Sequence, residues 1–351
     1  MDITPYLEMM IRHNASDLFF IPGAPAKIKI EGVMRSIGDT ILTPAFCREA
    51  VASLLDEQQA RVLDESLELD FAIALEGRGR FRVNVYHQRG SRAMVLRYIR
   101  ASIPSAEELN LPPTLSQLVM HKRGIILMVG ATGSGKSTTL AAMIDHRNRN
   151  SSGHIITIED PIEFLHPHQQ CVISQRELGL DTKSFAHALK SALREAPDVI
   201  LIGEIRTRET MEAAIELAGT GHLAISTLHA NNAYQALERI INMFPQAMHK
   251  TLFTDLSSYL RAIISQRLVR TKTGSRCAAI EILVNSPHVA DLIRDGRVDA
   301  IPETMQGPSD DGTTSFDDAL LALYRAGTIS LEEALANADS APNLEARINF
   351  G

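Results

Sequence analysis

Three kinds of hydrophobic patterning follow one another along the chain. Near the amino terminus, "AKIKIEGVMRSI" (26–37) alternates apolar and polar positions around an "EG" turn, which predicts a β-hairpin. Farther on, "DFAIALEGRGRFRVNVYHQRGSRAMVLRYI" (70–99) gives three more strands divided by glycine-containing turns. A mixed α+β domain with an antiparallel sheet is therefore expected over residues 1–100. Residues 101–118, "ASIPSAEELNLPPTLSQL", hold three prolines and break the pattern, as a linker or short helical connector does. Beyond them come short apolar runs: "GIILMVG" (124–130), "HIITIED" (154–160), "DVILIGE" (198–204), "HLAISTL" (222–228) and "AAIEILV" (278–284). These runs are apolar on both faces and separated by helical stretches at 137–148, 184–195 and 207–219. Such a pattern predicts an α/β domain over 119–285, a parallel sheet with helices on both sides. From 286 to 351 the text turns amphipathic, in "SPHVADLIRDG" and "SFDDALLALYRAGTISLEEALANA", and predicts a helical tail.

Composition changes this picture little. The 351 residues exceed what one core organises efficiently, in keeping with two domains. With 45% hydrophobic and 22% charged residues the chain is ordinary for a folded protein, and only the 306–314 loop invites disorder. A formal charge of -7 supplies no basic footprint, so a nucleic-acid partner is not expected. Cys47, Cys171 and Cys277 form no CxxC pair, which fits a reducing cytosol. The first twenty residues lack a signal-peptide layout, and no apolar run approaches the roughly 18 residues that span a bilayer. Direct membrane insertion is not expected; association with a membrane would run through a partner.

The chemistry concentrates at "GATGSGKST" (130–138), which matches G-x-x-x-x-G-K-[ST] at Gly130, Gly135, Lys136 and Ser137. Glycines let backbone N–H groups converge on phosphate oxygens, and the following helix presents its positive end. Lys136 reaches the terminal phosphates, and Ser137 holds magnesium. An apolar strand precedes the loop and a helix-compatible segment follows it, which is the context the motif requires.

In α/β sheets ligands gather at the carboxyl ends of strands, and this rule sorts the acids. Glu204 ends "DVILIGE" and is the candidate for orienting magnesium and water, whereas Asp198 begins the run and reads as a cap or surface residue. "IITIEDPIEF" ends its strand at Glu159 and Asp160, and Glu163 projects from the next turn as candidate base or water-positioner for attack on a γ-phosphate. "TGHLAISTLHANN" sets His222 and His229 at opposite ends of one strand; both remain open between structural and functional roles. Thr227, His229 and Asn231, if at the carboxyl end, could sense a γ-phosphate. Pro167 between His166 and His168 argues for an exposed loop over a metal site. In the first domain Arg80 and Arg82 share one strand face and Arg97 lies on the next strand. Guanidinium groups neutralise charge developing on a transferring phosphoryl group, and the alternative for these three is a solvated sheet face.

Taken together, "GATGSGKST", "IITIEDPIEF", "DVILIGEIR" and "TGHLAISTLHANNA" resemble, in order and spacing, the Walker A, Asp box, Walker B and His box of the type II and type IV secretion ATPases. "ASDLFF", "GRFRVNVYHQ", "SQRELGLDT" and "ERIINMFP" resemble its twitching-motility branch, the pilus-retraction motors. "HVADLIRD" (288–295) and Lys190, where many relatives place arginine, favour the accessory member over the principal one. The resemblance implies a PAS-like amino-terminal domain, a RecA-like ATPase domain and a hexameric ring, alone or together with a paralogous retraction ATPase. It implies ATP and Mg2+ held by Gly130, Ala131, Thr132, Gly133, Ser134, Gly135, Lys136, Ser137 and Thr138. It makes Glu163 the catalytic glutamate, Glu204 the Walker B acid, His222 and His229 the His-box pair, and Arg82 and Arg97 the arginines that reach the nucleotide. The expected setting is the cytoplasm, peripheral at the inner-membrane pilus base, with a pilus platform protein as partner. A DNA-transfer ring ATPase is the rival class, and the acidic charge disfavours it.

Overall fold

A computed structural model describes residues 2–30, 32–75, 78–99, 102–307 and 309–350. Glu31 of the first hairpin turn, Glu76 and Gly77 of the second, Ala101 at the start of the proline-rich segment and Pro308 of the 306–314 loop lie outside the described residues. Contacts group the chain into two compact units, 1–102 with 163–165, and 103–162 with 166–351.

The first unit is a six-stranded antiparallel sheet built from β1 (Asp17–Phe20), β2 (Pro25–Ile30), β3 (Val33–Ile41), β4 (Glu68–Leu75), β5 (Gly79–Gln88) and β6 (Ser91–Ile99), in the order β3-β2-β1-β6-β5-β4. Three helices accompany it: α1 (Thr4–Arg12), α2 (Pro44–Ala52) and α3 (Glu57–Ser66). Thr43 accepts a hydrogen bond from Phe46 N at 3.1 Å with Pro44 already in helical geometry, so α2 starts there. A reciprocal box between Asp56 and Gln59 opens α3. Along β5, Phe81, Val83 and Val85 are fully buried, so Arg80, Arg82 and Asn84 take the other face by the two-residue period. Strand β1 escapes pattern reading because four residues are too few to show a period.

The second unit holds a seven-stranded sheet in the order β13-β12-β7-β11-β10-β8-β9. Its strands are β7 (Gly124–Val129), β8 (Gly153–Glu159), β9 (Cys171–Glu177), β10 (Val199–Ile202), β11 (Leu223–Leu228), β12 (Leu260–Arg270) and β13 (Arg276–Val284). Strand β7 is buried along its whole length: Ile125, Leu127 and Val129 join one core and Ile126 and Met128 the other. On the second core lie α4 (Pro113–Val119) and α5 (Lys136–Asn150). On the first lie α6 (Phe185–Ala192), α7 (Arg208–Gly219), α8 (Ala233–Met243), α9 (His249–Tyr259), α10 (Pro287–Arg294) and α11 (Ile301–Thr304). The remaining helices, α12 (Phe316–Arg325), α13 (Leu331–Asn337) and α14 (Ala341–Phe350), form a smaller cluster with Val269 and Ala279 of the edge hairpin. Arg267 fastens them, its guanidinium 3.8 Å above the Phe316 ring and donating to Asn337 O and Asp339 Oδ1 at 2.6 Å.

One strand departs from the expected parallel sheet: "AAIEILV" lies in β13, which runs antiparallel to β12. Only residues 271–275 connect the two strands, closed by Thr271 N to Ser275 O at 2.9 Å with Gly274 at φ +87°. A link that short permits only a hairpin. Strands β9 and β12 are absent from the sequence reading because polar residues interrupt their apolar runs. Among the described residues no helix is long and apolar enough to cross a membrane.

Candidate active site

The phosphate loop leaves the end of β7 and enters α5 at Lys136. Two of its glycines are sterically required. Gly130 has φ +145°, and a Cβ there would sit 2.6 Å from Gln266 O; Gly135 has φ +87°, and its Cβ would sit 2.8 Å from Gln266 Nε2. Gly135 is also the N-cap of α5 and brings no capping side chain, so the helix's positive end is left for an anion. Lys136 Nζ arches over the loop, donating to Gly130 O at 2.7 Å and Ala131 O at 2.9 Å. Ala131, Thr132 and Gly133 are exposed, Ser134 is buried, and Ser137 and Thr138 are half-buried in the first turn of α5. A cradle shaped by glycines, an uncapped helix end, an ammonium and a helix-turn hydroxyl suit a polyphosphate with a hard divalent cation.

Sheet order then decides which acids and histidines join this loop. Strand β11 pairs in parallel with both β7 and β10, so the residues that follow the three strands share one edge. There Glu204 Oε1 lies 3.1 Å from His229 Nε2, while Oε2 accepts from Arg206 Nε at 2.8 Å. The backbone behind Glu204 is fixed: Thr227 Oγ1 donates to Gly203 O at 2.6 Å, and Ile205 N donates to Thr227 O at 2.9 Å. Glu159, on the next strand, accepts from Thr157 Oγ1 at 2.7 Å and Gln175 Nε2 at 3.2 Å. Beside the loop an open pocket of about 450 Å³ is lined by residues that include Gly130, His229, Asn231, Gln235 and Arg239.

Other sequence candidates lie elsewhere. His222 sits at the amino end of β11, its Nδ1 3.1 Å from Thr220 Oγ1 and from Leu217 O, about 20 Å of strand away from His229. The structure does not bring the two histidines together within one chain. Asp198 is at that same amino edge and caps it, Oδ2 accepting from His154 N at 2.8 Å. Glu163 is exposed and groups with the first unit. In that unit Arg82 and Arg97 are directly opposed cross-strand neighbours. Arg97 Nε donates to the buried Asp17 Oδ1 at 2.9 Å, and Arg82 Nη2 reaches Asp70 Oδ2 at 3.4 Å. Each guanidinium thus leans on a carboxylate of the strand flanking the pair, Asp17 on β1 and Asp70 on β4. The expected exposed loop at "LHPHQQ" is corrected in part. His166 is largely enclosed and its imidazole is pushed down to about 4 by burial, with His166 N donating to Gln175 Oε1 at 2.8 Å. His168 Nδ1 accepts from Ile173 N at 3.1 Å, so both residues fasten the segment to β9.

Four residues escaped the sequence reading: Gln266, Thr139, Ser265 and Glu281. Gln266 is 2% exposed, directly beneath the phosphate loop. Glu281 Oε1 accepts from Ser265 Oγ at 2.9 Å and from Ala233 N, the first residue of α8, at 2.7 Å, which anchors the segment following His229. The available signal was three consecutive polar residues inside the otherwise apolar run "AIISQRLV".

The whole arrangement has close relatives. Residues 1–308 match the family described as "Type II/IV secretion system protein". The chain is 51% identical to the type IV pilus ATPase PilU of Pseudomonas aeruginosa, covering 100% of this chain and 92% of that protein. It is 38% identical to the type IV pilus retraction ATPase PilT of the same organism, over 95% and 97% of the two chains. Among solved structures, the pilus retraction motor PilT with bound ADP superposes with a TM-score of 0.92 at 39% identity, covering 98% of this chain and 99% of that one. PilU and PilT, both described as ATPases, resemble this chain over nearly its whole length, and the chain belongs to the type II/IV secretion system protein family.

Proposed function

We propose that the protein is an ATP-hydrolysing motor of type IV pilus retraction, acting as the accessory member of the retraction pair. The observation that carries this reading is the glycine-built phosphate loop with Glu204 and His229 on the same sheet edge. It is supported by 51% identity to PilU over the full chain against 38% to PilT. Backbone N–H groups of residues 130–138 bind the phosphates, and Lys136 swings from its carbonyl partners to neutralise the terminal pair. Mg2+, held by Ser137 and by Glu204 directly or through water, would supply Lewis-acid stabilisation of the phosphate oxygens. Glu163 orients the attacking water and accepts its proton. Arg82 and Arg97 neutralise charge that builds on the transferring group, and His229 positions Glu204. His222, at the far end of its strand, acts on a neighbouring subunit's site in a hexameric ring. That ring works in the cytoplasm against a platform protein at the inner-membrane pilus base, alone or with the principal retraction ATPase.

Phosphate release and fluorescent-nucleotide binding test the reading. Lys136→Ala should abolish both, whereas Glu163→Gln should lose hydrolysis and keep binding. Undiminished hydrolysis by Glu163→Gln would remove the catalytic assignment. The second reading, a principal retraction ATPase, is favoured by the superposition on PilT. Retraction by this protein in cells that lack the paralogue would select it.

A further inference from the structure

Gln266 lies in β12, a strand that contributes nothing to the phosphate-loop motif, yet its side chain is spent on that loop and on the helix that follows it. Its Nε2 donates to Ser134 O at 2.8 Å, and its Oε1 accepts from Thr139 Oγ1 at 2.8 Å. Ser134 O and Gly135 N–H belong to one planar peptide unit, in which carbonyl and amide point in opposite directions. A donor clamped to the carbonyl from the β12 side therefore holds the Gly135 N–H turned away from β12, toward the open side of the loop. The Ser134 carbonyl can only accept, so the NH2 group must face it; Oε1 then faces the Thr139 hydroxyl, which donates to it and holds the other end of the amide in place. The contact is close on both flanks. A Cβ on Gly135 would collide with Nε2, and one on Gly130 would collide with Gln266 O. Left without Gln266, Gly135 at φ +87° has the backbone freedom to rotate this peptide, because glycine occupies both signs of φ with little cost.

We infer that Gln266 is a positioning residue for nucleotide binding, which holds the Ser134–Gly135 peptide with its N–H aimed at the phosphates and is itself held in place by Thr139. This rests on the phosphate loop binding ATP as proposed above. Because the aimed N–H meets the phosphates before and during the reaction, its loss weakens ground state and transition state alike. The signature is a raised KM with little change in kcat.

The test measures Kd for a fluorescent ATP analogue with Mg2+, KM, kcat and Tm in the full chain. Gln266→Met keeps length and apolar volume but removes both hydrogen bonds; Kd and KM should rise about tenfold with kcat within about twofold. Gln266→Glu keeps the acceptor for Thr139 but cannot donate to Ser134 O, so it should bind as weakly as Gln266→Met or worse. Thr139→Val, the mildest change, should raise Kd about threefold, and adding it to Gln266→Met should cost nothing more, since the two act as one unit. Wild-type affinity in Gln266→Glu and Thr139→Val, whatever their Tm, would overturn the inference, and these two keep it testable if Gln266→Met does not fold. Failure of the unmutated protein to bind the nucleotide would instead remove the functional proposal on which the inference stands.

Discussion

Burying a carboxylate under the segment that follows His229 should leave a mark on the pH dependence of stability. Glu281 is 5% exposed, and burial pushes its carboxyl from the ordinary 4.5 up to about 7, despite hydrogen bonds from Ala233 N and Ser265 Oγ that favour the ionised form. Asp339 adds to the rise and Arg267 opposes it. The folded state thus holds a proton that the unfolded chain has already released. Stability is unaffected below about pH 4.5, falls as pH rises, and carries the full cost above pH 7. At about 1.36 kcal/mol per pH unit the cost is about 1 kcal/mol at pH 5 and about 3 kcal/mol at pH 8.5. Glu281→Gln keeps a carbonyl oxygen for both donors and carries no charge. Its advantage over the unmutated protein should grow by about 2 kcal/mol between pH 5 and pH 8.5. For a unit of this size that corresponds to about 4–8 °C in Tm. Thermal unfolding of both proteins at the two pH values measures it. A Tm difference that is the same at both would refute a buried, proton-holding Glu281.

Two further substitutions probe the site from different sides. Arg82→Ala removes only the long, partly exposed contact to Asp70, so unfolding should shift by no more than about 0.5 kcal/mol while ATP turnover falls about tenfold or more; full turnover in a stably folded variant contradicts the assigned role. Gly203→Ala would bring a Cβ 3.0 Å from Ile158 O and 3.2 Å from Glu159 Cα, atoms of strand backbone that cannot move aside. Urea unfolding should register a loss of about 1–3 kcal/mol, and an unchanged midpoint would show that the strands part without cost.

Much of this protein could be read from one dimension because its signals are local. The phosphate loop declares itself within nine residues, since each glycine answers a backbone need met in place, and a strand before it and a helix after it complete the context. Alternation around short turns gave the amino-terminal hairpins, and apolar runs gave the central strands of the second sheet. Strand-end position likewise separated Glu204 from Asp198, which the structure places on opposite edges.

What stayed hidden depends on residues far apart meeting across the sheet. The polar triplet Ser265–Gln266–Arg267 spoils an apolar run, so β12 is unreadable until its partners are seen: Glu281 beside it, the phosphate loop above Gln266, and the carboxyl-terminal helices on Arg267. The direction of β13 follows from a five-residue link, which no hydrophobicity pattern encodes. Whether His222 or His229 lies at the edge that carries the phosphate loop follows from the parallel pairing of β11 between β7 and β10. Sequence alone determined the phosphate chemistry and the alternation of strand and helix, because both depend on neighbours within a few residues. Tertiary structure decided how the loop is held, because a buried amide can be satisfied only by groups that folding brings to it from 127 and 132 positions away.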